Sequence, residues 1–265
     1  GTVRVVMCTH FFRDHIAGAL PAADLGIEVY APYWEKELIE DAQGHFQRRE
    51  TYLIYDNIWD LFGPVQNIPV AHWLQDWEQV NVCGLEFSVI PTPGVTTGAI
   101  SLMCSVDGKS VLFCGEAIHS PGKIARIAPL QYNYADLPGA LTLRDSVKTL
   151  RSAKPDVLAP SLGTVMSEDA DSALAALQEN LAFVLSQRSD HKERVLESDQ
   201  DSLVKVTDHI YKSRFSVASS WFILSDSGKV LAIDYGYHGL VSFSSWSNHP
   251  RYRRPILHGL DGLKD

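Results

Sequence analysis

Short apolar runs separated by turn residues dominate this chain, and only a few stretches space their apolar positions as a helix would. The first run, residues 3–8, predicts a buried strand. The sequence then turns polar at Thr9 and becomes apolar again over 16–20, predicting the first turns of a helix. Residues 27–31 predict a second strand, and 33–42 a helix with Glu35, Glu37, Glu40 and Asp41 on its wet side. The stretch 44–75 is aromatic and irregular, with Phe46, Tyr52, Tyr55, Trp59, Phe62, His72 and Trp73. Such an insertion either walls a pocket or simply packs large side chains.

From 78 to 91 two strands meet at Cys83-Gly84. Residues 99–106 and 110–114 form a hairpin across Asp107-Gly108, a pair that accepts the positive φ angles of a tight turn. Residues 138–153 predict a helix and 157–159 a short strand. Ser167 or Asp169 supplies the N-cap of a further helix, whose apolar stripe is Leu174, Leu177, Leu181 and Val184. Residues 188–202 are charged and polar with little to bury, the composition of a linker. Beyond them 203–206, 220–224 and 229–233 predict strands, Asp226-Ser227-Gly228 a turn, and 253–264 a closing helix.

Composition narrows the class. A length of 265 residues suits one large or two small domains. The formal charge of −9 argues against nucleic acid or an anionic membrane as the main partner. No apolar run approaches the roughly 20 residues of a membrane span, and the first residues do not resemble a signal peptide. Cys8, Cys83, Cys104 and Cys114 are isolated, and three of them lie in apolar runs. Buried free thiols in a reducing, cytoplasmic setting are expected.

The candidate chemistry lies at the strand-to-helix junction that follows the first run, the kind of place where an α/β sheet gathers its loops. His10, Asp14 and His15 stand there at metal-ligand spacing. An Asp at this point also serves as an ordinary helix cap.

This loop resembles the H-x-H-x-D-H signature of the metallo-β-lactamase-fold hydrolases, matching at His10, Asp14 and His15 and departing at Phe12. Three further stretches are similar to loops of the same fold. Residues 92–98 resemble P-G-H-T-x-G with Val95 at the His, 113–116 resemble the segment ending in a bridging carboxylate with Glu116 in that role, and 159–163 resemble P-x-H-G with Leu162 at the His. Residues 219–236 look like the family's opening hairpin, ending at Asp234, yet they come late in the chain. The resemblance implies an α/β, four-layer αββα sandwich in circularly permuted order. Residues 1–187 would be the family's C-terminal portion, 188–202 a linker, and 203–265 its N-terminal hairpin and helix. The competing account of that order is a piece of a tandem protein.

The resemblance also implies two metal sites, one from His10, Phe12 and Val95, the other from Asp14, His15 and Leu162, with Glu116 between them. Phenyl, isopropyl and isobutyl groups have no lone pairs to donate, so the dinuclear centre is expected to be lost. No cofactor is expected, or at most one weakly held zinc or iron at His10, Asp14, His15 and Glu116. Phe12, Val95 and Leu162 would line an apolar pocket for a small hydrophobic molecule. Three functions follow: a degenerate or engineered scaffold with that pocket; a metal-independent enzyme using Glu116, its pKa raised by burial, with His119 or another nearby His; or a mononuclear hydrolase using Asp14, His15 and Glu116.

Overall fold

The structure is a computed structural model, and it describes residues 1–48, 63–126, 138–186, 203–213 and 219–234. The linker expected at 188–202, the closing helix at 253–264 and the aromatic residues Tyr52, Tyr55, Trp59 and Phe62 lie outside the described residues. Gly1–Phe183 and Val184–Asp265 form two compact units.

The first unit begins with β1 (Val5–Met7), two short helices α1 (Arg13–Ile16) and α2 (Ala19–Asp24), and β2 (Glu28–Pro32). A 3-10 turn at Tyr33–Glu35 leads into α3 (Lys36–Glu40) and α4 (Ala42–Arg48), followed by β3 (His72–Leu74). The three strands form a parallel sheet in the order β1-β2-β3. One face of that sheet buries Cys8, Val29 and Ala31 with Phe11, Ile16 and Ile39 of the helical layer. The other face packs Met7, Tyr30 and Leu74 against Val89, Ile100 and Leu102 of a second sheet.

That second sheet runs β4 (Gln79–Val82), β5 (Leu85–Pro91), β6 (Ile100–Val106), β7 (Lys109–Gly115) and β8 (Val157–Pro160) in spatial order. It is antiparallel except for the β7–β8 pair, which is parallel and has α5 (Pro138–Ser152) in its crossover. Both hairpin turns take the conformation their residues favour. Cys83 and Gly84 have φ of 53° and 87°, Asp107 and Gly108 of 51° and 75°. Leu143, Val147 and Leu150 of α5, and Leu174 and Leu177 of α6 (Ala170–Ser186), are buried. Asp169 caps α6 by accepting the Ser172 N–H at 3.0 Å.

The second unit carries a four-stranded antiparallel sheet in the order β12-β11-β10-β9, from β9 (Leu203–Lys205), β10 (Ile210–Ser213), β11 (Trp221–Leu224) and β12 (Val230–Ile233). Asp234 ends β12 with φ of 54°, and its carbonyl accepts a hydrogen bond from Ser220 Oγ at 2.7 Å.

Four local expectations are corrected. Glu35 is not on a wet face: it is buried, accepts a hydrogen bond from Thr96 Oγ1, and is approached so closely by Gly98 that no side chain fits there. Val184 is 48% exposed and Leu185 takes the buried position, because the stripe advances by four residues after Leu181. β3 lies inside the stretch read as irregular, paired to β2 rather than patterned by its own residues. Strand β10 was not expected; it pairs with both β9 and β11.

Candidate functional site

The site forms where the loop after β1 meets the end of β7. Thr9 is tied to β6 by its carbonyl, which accepts the Ile100 N–H at 2.9 Å. Gly115 has φ of 54°, and a Cβ there would lie 2.8 Å from Thr9 Oγ1. Only glycine permits both the backbone angle and the close approach, and this contact brings Glu116 opposite His10. Asp14 and His15 are not loop residues but part of the single turn of α1; Phe12, rather than Asp14, is its N-cap and makes no side-chain capping bond.

His10, His15 and Glu116 converge. His10 Nε2 and His15 Nε2 each lie 3.4 Å from the same oxygen, Glu116 Oε1. The two imidazole rings are 4.2 Å apart between centroids. The His10 and Glu116 side chains are wholly buried, and His15 is nearly so. On the far side of each ring the Nδ1 atom has a partner: Thr9 Oγ1 at 3.0 Å from His10, and Asp14 Oδ1 at 2.9 Å from His15. His10 Nε2 is buried without a hydrogen bond.

A residue with no sequence signal completes the group. Arg126 donates from Nε to Glu116 Oε2 at 2.8 Å, from Nη2 to Glu116 Oε1, and from Nη2 to Asp14 Oδ2 at 2.7 Å. Its guanidinium carbon lies 5.0 Å from the centre of the Phe12 ring, and the Phe12 ring also meets His10 edge-on. Phe12, at the position of the missing His, thus offers a π face to a fixed cation.

These contacts reverse one expectation. Burial pushes the Glu116 carboxyl up, but His10 facing it and the Arg126 guanidinium outweigh that and leave its pKa below the ordinary carboxylate value. Asp14 is likewise held low, burial being outweighed by His15 and Arg126. Burial drives His10 toward its neutral form, with Glu116 opposing. Cys8 and Cys114 nearby are pushed up to about 12, mainly by burial, which removes them as thiolates near neutral pH.

Val95 is buried in the cluster that also holds Phe11 and Phe12, whereas Leu162 is 37% exposed. His119 directs its ring to Ser120 Oγ at 3.3 Å, and its backbone is clamped by the Thr164 N–H and the close approach of Gly163. Asp234 belongs to the second unit and is exposed. A cavity of about 510 Å³ opens beside the cluster, lined by Met7, Cys8, Thr9, His15, Leu102 and Phe113 among others; Phe12, Val95 and Leu162, expected to line the pocket, are not part of its lining. Among the described residues, His10, His15 and Glu116 have donor atoms all within 4.8 Å of one another, a group that could hold a cation.

No family model matches the sequence. It is 28% identical over 120 residues to a hydroxyacylglutathione hydrolase of Aeromonas hydrophila, covering 44% of this chain and 34% of that protein. To a hydroxyacylglutathione hydrolase of Aeromonas salmonicida it is 40% identical over 65 residues, 23% of this chain and 24% of that one. The matched stretches thus span about a third and about a quarter of those relatives' own length. Among solved structures, the metallo-β-lactamase MIM-1 from Novosphingobium pentaromativorans superposes with a TM-score of 0.51 at 15% identity, covering 74% of this chain and 70% of that one. The chain has the metallo-β-lactamase fold. Its described residues contain no helix long and apolar enough to cross a membrane.

Proposed function

We propose that this protein is a metallo-β-lactamase-fold member of hydrolase ancestry that no longer performs two-metal hydrolysis, and that the cavity adjoining its cluster binds a small hydrophobic molecule. The observation that carries this reading is Arg126, whose guanidinium bonds both Glu116 and Asp14 where the family pattern would place metal charge. The donor chemistry agrees, because Phe12, Val95 and Leu162 offer no lone pairs at three positions of the pattern. A cavity of about 510 Å³ has the volume of an ordinary small-molecule site, and His15 joins it to the cluster.

Should one metal bind, His10, His15 and Glu116 would hold it, and it would supply Lewis acidity at an open coordination position. The metal-independent base reading is disfavoured: Glu116 is engaged by Arg126 through both oxygens and its pKa is lowered, which makes it a poorer proton acceptor near neutral pH.

The test is metal analysis after dialysis against zinc, combined with hydrolysis of a hydroxyacylglutathione thioester, the class of compound named by the relatives. At most one ion per chain and no chelator-sensitive turnover are expected. Two ions per chain, or turnover abolished by a chelator, would overturn the proposal.

A further inference from the structure

We infer that Arg126 is a built-in competitor for the one divalent first-row metal ion that His10, His15 and Glu116 would hold, and that it must release Glu116 Oε1 before such an ion binds. This rests on the reading above, in which too few donors remain for two ions.

The ring orientations are the first support. Asp14 accepts from His15 Nδ1, which aims the His15 Nε2 lone pair at Glu116, and Thr9 Oγ1 beside His10 Nδ1 is compatible with the same tautomer in His10. A carboxylate on the outer nitrogen, as Asp14 is to His15, is what orients a metal-binding imidazole. Distance is the second. In a tetrahedron with bonds of 2.0–2.1 Å, neighbouring donor atoms stand about 3.3 Å apart. Both imidazole nitrogens lie 3.4 Å from Glu116 Oε1, too far for a good hydrogen bond and close to such an edge.

The third support is the buried, unbonded His10 Nε2. In the tautomer with its proton on Nδ1, this nitrogen faces a carboxylate oxygen with no compensating partner, and a cation placed among the three donors provides one. Charge agrees: Asp14 and Glu116 against Arg126 leave one negative charge in excess. Two imidazoles and one carboxylate suit zinc and ferrous iron alike.

Arg126 competes because its Nη2 bonds the same Oε1 on which both histidines converge. Like charges sharing one carboxylate oxygen repel, so each cation weakens the hold of the other. The Arg126 side chain is 32% exposed, so it has an outward path that the buried members lack. In this sense the protein carries a guanidinium plug in a one-ion site, seated on the Phe12 ring while the metal is away.

The experiment is equilibrium dialysis of the full chain with Co²⁺, Zn²⁺ and anaerobic Fe²⁺, with the visible absorption of bound Co²⁺ as an independent signal. Wild type, R126M, R126Q, R126K and H10N are compared after circular dichroism has verified their fold. Wild type is expected to take up about one ion weakly. R126M and R126Q should bind about tenfold or more tightly, the usual scale of outer-shell effects. R126K, which keeps the charge but not the several bonds of the guanidinium, should bind Co²⁺ more tightly than wild type and less tightly than R126M, and H10N should lose the Co²⁺ spectrum. Comparing Zn²⁺ with Fe²⁺ affinity separates the two metal classes.

If wild type and the charge-removing variants bind nothing at millimolar metal, the site does not exist. Equal affinity in wild type, R126M and R126Q would overturn the competitor role. Should both charge-removing variants fail to fold, wild type and H10N still decide the site, and R126K decides the competitor role: the shorter ammonium cannot span both carboxylates, so Co²⁺ affinity equal to wild type would overturn it. Two ions per chain would instead overturn the underlying reading that the dinuclear centre is lost, a result distinct from either failure.

Discussion

Replacing Arg126 by Met tests whether the guanidinium holds the cluster together. The substitution keeps an apolar stem of similar length but removes both bonds to Glu116 and the bond to Asp14. The Glu116 side chain is wholly buried, so it would be left as a carboxylate with no cation beside it. Breaking a buried pair from one side costs about 3–5 kcal/mol. Arg126 is 32% exposed and Asp14 50%, so solvent already screens part of the interaction. A loss of about 2–3 kcal/mol at neutral pH is expected after that discount. For a domain of this size that lowers Tm by roughly 5–10 °C.

The dependence on pH has a definite sign. The Glu116 and Asp14 pKa values are held below their ordinary values, so their contribution is complete above the unfolded-state pKa, about 4, and fades as pH falls through the folded-state pKa. The gap between wild type and R126M should therefore be full at neutral pH and close on acidification. Denaturant melts of wild type, R126M and the E116Q/R126M double variant read this directly. The double variant should recover part of the loss, because no buried carboxylate is left uncompensated. A difference under about 0.5 kcal/mol at neutral pH, or one that widens on acidification, refutes the reasoning.

Other perturbations address the surroundings. Gly115→Ala adds a Cβ at a φ of 54° and 2.8 Å from Thr9 Oγ1, and should cost about 1–3 kcal/mol by melting and weaken Co²⁺ uptake by displacing the Thr9–His10 turn. Gly98→Ala runs into the buried Glu35 side chain and should destabilise by at least about 2 kcal/mol without changing the metal stoichiometry. With a thiol reagent at neutral pH, exposed Cys83 should react rapidly, whereas Cys8, Cys104 and Cys114 should react only on unfolding. His10 is held toward its neutral form, so stability should decline as pH falls below about 6.5, where the unfolded chain takes up the proton first; H10N should flatten that part of the curve.

Much of the scaffold was legible because its signals are local. Cys83-Gly84 and Asp107-Gly108 sit at tight turns for the backbone reasons their residue types announce, and Asp169 caps its helix where the pattern placed it. Glu35 was misjudged because its partner, Thr96, lies 61 residues away, and nothing around Glu35 marks it as buried. Strand β3 was missed because its pairing with β2, not its own alternation, makes it a strand.

The same division runs through the site. The sequence by itself determined which side chains own a lone pair: His10, His15 and Glu116 do, whereas Phe12, Val95 and Leu162 do not, since that follows from covalent structure alone. Only the tertiary structure decided which of those lone pairs face one another, and that Asp14 turns toward Arg126 and the outer nitrogen of His15 rather than into the centre. Arg126 reaches Asp14 across 112 residues of chain. Contacts of that range follow from how the strands and helices pack, and no local spacing encodes them.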